Sequence, residues 1–163
     1  MFSVLVGTSG LTAAAIAALY VTLTRQSPPE SKAARHKAAR ALGLAVVVQT
    51  VHFVEEAVTG FHERFPELLA LSAWPLSYFV IFNVTWLAIW AASISGLRSG
   101  WRVAFFASWF LAIAGIMNGV AHPVFAIAAR GYFPGLISSP LICVAGALLW
   151  VRLRRATATG VRE

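Results

Sequence analysis

The chemistry-bearing residues concentrate in ALGLAVVVQTVHFVEEAVTG (41–60), an apolar run interrupted by Gln49, His52, Glu55, Glu56 and Thr59. A helix advances about 100° per residue, so with His52 as origin Glu56 falls near about +40°, Gln49 about +60°, Thr59 about −20° and Glu55 about −60°. The five polar side chains then share one face. An imidazole and a carboxylate three or four residues apart on a helix can chelate one ion, as in the H-E-x-x-H and H-x-x-E-H zinc motifs. The same pair can also work without metal, as general acid and base. Reaching outward to lipid headgroups is a plainer role, and it suits Glu55 and Glu56 better than the deeper His52.

The elements that must position this face are membrane-spanning helices. The chain has 163 residues, 59% of them hydrophobic and only 12% charged. A soluble domain carries about 25% charged residues. A spanning helix needs about 20 mostly apolar residues, and such runs fall near 3–24, 41–60, 73–95, 103–129 and 136–151. Between the first two, RQSPPESKAARHKAAR stops the first helix at Pro28 and Pro29 and carries charge that resists insertion. LRSGWR and RGYFPG read as turns, and GFHERFPELLALS reads as a segment along the membrane surface. The expectation is an all-α protein, a single polytopic transmembrane bundle of about five spans occupying 1–163.

Of the 13 basic residues, only Arg64 and Arg130 fall on one side of these spans. Arg25, Lys32, Arg35, Lys37, Arg40, Arg98, Arg102, Arg152, Arg154, Arg155 and Arg162 fall on the other. Positive charge is retained on the cytoplasmic side, which predicts an outer N-terminus, a cytoplasmic C-terminus and a multi-pass plasma-membrane location. The net charge of +7 is therefore read as membrane orientation, not as a nucleic-acid surface. The first apolar run precedes its positive charge, the reverse of a secretory signal, so it reads as a retained helix. Trp74, Trp101 and Trp150 fall near span ends, where an aromatic belt would place them. Cys143 is the only cysteine, which excludes an internal disulfide.

With a rise of about 1.5 Å per residue, His52 lies roughly 12 Å below the outer edge, Glu56 about 6 Å, Asn83 about 15 Å, His122 about 10 Å and Asn118 about 16 Å. Three helices thus bring polar groups to one slab. Asn118 and His122, four apart, share a face. Each has a simpler role open to it. Asn83 can join helices, and Asn118 with His122 can satisfy carbonyls freed at Pro123. Gly115 and Gly119 have the spacing of close helix packing.

His52-Phe53-Val54-Glu55-Glu56, Asn118-Gly119-Val120-Ala121-His122 and Tyr132-Phe133-Pro134-Gly135 occur in this order. They resemble the H-x-x-E-E, N-x-x-x-H and Y-x-P-G elements of the HXXEE-domain family of small membrane proteins, over roughly residues 40–155. That family carries a Thr three residues after Y-x-P-G where this chain has Ser138, which keeps the hydroxyl. The resemblance implies a membrane protein and supports a site, but supplies no reaction.

The leading expectation is a metal-dependent, hydrolase-like enzyme acting on a lipid-phase substrate. His52, Glu56 and His122 would be ligands, and Glu55 the general base or a further ligand. Gln49, Asn83, Asn118 and Tyr132 would form the polar surround. Zinc is favoured over iron, because a di-iron bundle needs four carboxylates and only two lie at depth. The alternatives are a metal-free isomerase of a hydrophobic substrate and a non-enzymatic lipid-binding, proton-relay or structural subunit. Expected partners are membrane lipids and a hydrophobic small molecule, with no nucleic acid; a homo-oligomer is left open.

Overall fold

The structure, a computed structural model, describes Val4 and residues 7–159. Among them run six α-helices: α1 Ser9–Thr24, α2 Lys32–Val58, α3 Phe61–Leu68, α4 Leu76–Ser99, α5 Arg102–Ala128 and α6 Ser139–Ala156. The first residues of the expected 3–24 run lie partly outside the described set. Three helices, α2, α4 and α5, are long and apolar enough to cross a membrane. α1 is apolar but has 16 residues, and α6 ends in Arg154 and Arg155.

α2 begins about two and a half turns earlier than the hydropathy boundary, because KAARHKAAR, though charged, is rich in strong helix formers. Charge sets where a helix leaves an apolar medium and does not end the helix. At the same end of the bundle, Arg25–Gln26 pairs antiparallel with Ala158–Thr159, a two-residue ribbon that polarity alone did not announce. Arg25 fastens it by donating from Nε to Thr157 Oγ1 at 2.9 Å.

α5 is the hub, packed by α1, α4 and α6, while α2 closes against α4 and α6. The α5–α6 seam is tight for a visible reason. A Cβ on Gly119 would overlap Cys143, reaching its Sγ at 2.6 Å, and one on Gly146 would meet the Ala112 carbonyl at 2.8 Å. Small residues let the two backbones approach. On the α4 side Trp90 donates its indole N–H to the Ala107 carbonyl at 3.0 Å, a buried cross-helix bond.

The outward faces are apolar. Val47, Val51 and Val58 on α2, Ile81 on α4, Val103, Val120 and Ile127 on α5, and Leu141 and Val144 on α6 are all exposed. The tryptophans near helix ends do not behave alike. Trp101 is exposed, whereas Trp74 turns inward onto Phe61 and Phe65. The α2–α4 connection is not a bare surface strap either: α3 folds back over one end of the bundle and puts Phe61 against His122.

Candidate functional site

α2 presents His52 and Glu56 one turn apart, and α5 presents His122 opposite them. All three are buried, and one ligand atom from each lies within 4.8 Å of the others. The imidazole centroids are 4.8 Å apart with planes at 90°. Glu56 Oε1 stands 3.6 Å from His52 Nε2 and 3.4 Å from His122 Nε2.

The far nitrogens fix which atoms carry hydrogen. His122 Nδ1 lies 2.7 Å from the Pro134 carbonyl, which can only accept, so Nδ1 donates and Nε2 keeps a lone pair. His52 Nδ1 lies 2.7 Å from Ser138 Oγ. The single Ser138 hydroxyl hydrogen goes to Glu55 Oε2, so the serine oxygen accepts from His52 Nδ1–H. His52 Nε2 is then also a lone pair, and it is buried with no hydrogen-bond partner among the described residues. Two lone pairs and a carboxylate oxygen converge with no hydrogen among them. Such a cluster attracts a cation, either a metal ion or a proton.

Glu55 faces elsewhere. It accepts from Tyr132 Oη at 2.7 Å, Ile137 N at 3.0 Å, Ser138 N at 2.8 Å and the Ser138 hydroxyl. Its two oxygens are filled by the segment leading into α6, whose first amides would otherwise lack acceptors. Glu55, expected as general base or a further ligand, tethers the α5–α6 loop and stands outside the group formed by His52, Glu56 and His122. Tyr132, outside the helices, has its pKa raised by partial burial and then by its bond to Glu55.

The loop explains Tyr132-Phe133-Pro134-Gly135 residue by residue. Tyr132 holds Glu55, and Pro134 gives its carbonyl to His122. Gly135, at φ +84°, lies against both imidazoles. Phe133 completes an aromatic wall with Phe61 and Phe125 around His122. Sequence reasoning gave Ser138 no role beyond its hydroxyl and did not see Pro134 O or Phe61; only the tertiary fold brings them to the histidines.

The remaining expected residues line a cavity of about 450 Å³ on the other side of Glu56 and His122: Gln49, Asn83 and Asn118. Asn83 also donates to its own helix, at Phe79 O. α5 runs through Pro123 unbroken.

Outer partners of a ligating histidine tune its affinity about 10–100-fold. Ser138→Ala is therefore expected to weaken metal uptake by about that factor, and Ser138→Thr to preserve it. Equal metal titrations for wild type and Ser138→Ala would show the hydroxyl to be idle.

An all-helical chain whose apolar helices enclose a His–Glu–His cluster beneath a capping loop is the class these features define. The chain belongs to the family described as proteins of unknown function with HXXEE motif, whose model matches residues 43–150. No curated protein and no solved structure matches it.

Proposed function

We propose that this is a multi-pass plasma-membrane protein carrying a zinc centre on His52, Glu56 and His122, with hydrolase-like activity on a lipid-phase substrate. The convergence of three donor atoms within 4.8 Å, two of the separations near those of a tetrahedral ion, carries the reading. At Zn–N and Zn–O bonds of roughly 2.0–2.1 Å, tetrahedral ligands sit about 3.3 Å apart. Glu56 Oε1 is 3.4 and 3.6 Å from the two Nε2 atoms. Two imidazoles and one carboxylate suit a catalytic zinc site, whereas a di-iron bundle calls for four carboxylates, which favours zinc over iron. Charge-assisted N–H···O bonds measure about 2.7–2.9 Å, so a shared proton fits these separations less well.

Three protein ligands leave one tetrahedral position for a reacting group. An ion held there supplies Lewis acidity and acidifies a bound water. The chain's own residues do the rest: Ser138 and the Pro134 carbonyl fix both imidazoles, and the wall of Phe61, Phe125 and Phe133 limits water.

The exposed apolar faces support a lipid surround, since a soluble protein rarely exposes so much contiguous apolar surface. Five spans follow if α1 and α6, about 24 and 27 Å long, cross a hydrocarbon layer of about 30 Å with their flanking residues. The basic residues then place the C-terminus in the cytoplasm. A reporter active only outside the cytoplasm, fused after Glu163, is expected to stay silent; activity there would invert the topology.

The central test is elemental analysis of the full chain in nanodiscs, with stoichiometric zinc expected and its removal by chelator abolishing any ester hydrolysis. Metal-free protein that cannot be loaded with zinc, or hydrolysis indifferent to exhaustive chelation, would favour the acid–base alternative.

A further inference from the structure

The 450 Å³ cavity beside the cluster has a mixed lining. Aromatic rings, among them Phe82, Trp86, Trp90 and Phe110, make up much of it. Gln49, Asn83, Asn118, Glu56 and His122 interrupt them with polar groups. Gln49 is only 6% exposed. Neither its amide nor that of Asn118 has a hydrogen-bond partner among the described residues, and Asn83 bonds only through its nitrogen.

Asn83 and Asn118 are half-buried, and all three amides line the cavity. Amides that line a cavity without a protein partner favour an occupant with hydrogen-bonding capacity, the more so where lipid replaces water. The aromatic rings ask for the opposite, because polar contents would leave them wet. A molecule satisfying both has an apolar body and one compact polar group. The volume lies within the range of about 300–1,000 Å³ that holds one small ligand, so the cavity suits a single chain and not a lipid cluster.

The sign of the polar group follows from the lining. Gln49 and Asn118 offer N–H donors, and among the described lining residues there is no Lys or Arg to pair with a carboxylate, which in the zinc-free protein would also meet Glu56. We infer that the cavity binds a neutral acyl ester, its chain along the rings of α4 and α5 and its carbonyl among Gln49, Asn83 and Asn118, next to Glu56 and His122. The inference rests on the proposed centre only for what happens to the ester; binding depends on the cavity alone.

The test uses full-length protein in phosphatidylcholine nanodiscs, photolabelled with a long-chain fatty acid methyl ester bearing a diazirine on its chain. Adducts are mapped by peptide mass spectrometry, and zinc is measured in the same samples. Adducts are expected on Phe82, Trp86 and Met117. Unlabelled ester should displace them at least tenfold better than the free acid or the alkane of equal length. Ala114→Trp, which fills the cavity, should remove them, and Ala114→Leu should weaken them should the larger residue prevent folding. Adducts spread over outward residues such as Val103 and Ile127, or alkane or free acid competing as well as ester, would overturn the inference. Cavity labelling in protein that cannot bind zinc would sink the metal centre and leave this site standing; zinc without cavity labelling would do the reverse.

Discussion

Glu56→Gln is expected to lower zinc affinity by more than about 100-fold, since even outer partners of a ligand contribute 10–100-fold. It should also raise the stability of the metal-free protein. In the metal-free wild type, Glu56 Oε1 faces two nitrogen lone pairs at 3.4 and 3.6 Å, so three acceptors oppose one another in a buried place. A glutamine of the same shape brings an N–H₂ group that can donate to those nitrogens, which relieves the conflict. Binding stabilises the folded chain by about 2.7 kcal/mol at 100-fold excess over Kd. Thermal unfolding should therefore rise with zinc in the wild type and stay flat in the variant, while in chelator the variant unfolds at the higher temperature. His52→Ala and His122→Ala should lose zinc as well but gain nothing in chelator, because each opens a cavity and frees Ser138 or the Pro134 carbonyl from its donor. Equal zinc content in wild type and Glu56→Gln would remove the basis for a metal centre.

The residues of this cluster were legible in the sequence because ionisable groups are conspicuous in an apolar run. Periodicity put His52 and Glu56 on one face, and depth put His122 level with them; the structure brings the two rings and the carboxylate together. Periodicity could not separate Glu55 from Glu56. Both sit on the polar side of α2, but the 100° step between them turns Glu55 toward the α6 entrance. Which carboxylate meets the histidines depends on where the neighbouring helix and loop lie, and a single helix carries no record of that. Ser138 and the Pro134 carbonyl escaped notice for a related reason: a serine and a main-chain oxygen in a loop stand out only when the fold brings a histidine to them. The three helices long and apolar enough to cross a membrane were readable from apolar length, apart from the charged KAARHKAAR that opens α2, whereas α3 and the Arg25–Gln26 ribbon rest on contacts far apart in sequence.

Gly135→Ala should damage stability and the His–Glu–His cluster together. Gly135 has φ +84°, where a Cβ costs an L-residue about 1–2 kcal/mol. The added methyl would also lie 2.7 Å from His122 Nδ1 and 3.0 Å from His52 Cε1, against rings held by Pro134 O and Ser138. Overpacking of this kind typically costs about 1–3 kcal/mol, so the total loss is about 2–5 kcal/mol. Neither imidazole can retreat without breaking its Nδ1 bond, and the strain therefore falls on the spacing of the Nε2 atoms. The expected result is a lower unfolding temperature together with at least tenfold weaker zinc binding. Gly131→Ala supplies the control in the same loop, because a Cβ there meets nothing within 4 Å, and it should match the wild type in both measurements. If Gly135→Ala kept wild-type zinc affinity, the loop would not be pressing on the histidines, and the fit of Tyr132-Phe133-Pro134-Gly135 around the cluster would lose its physical meaning.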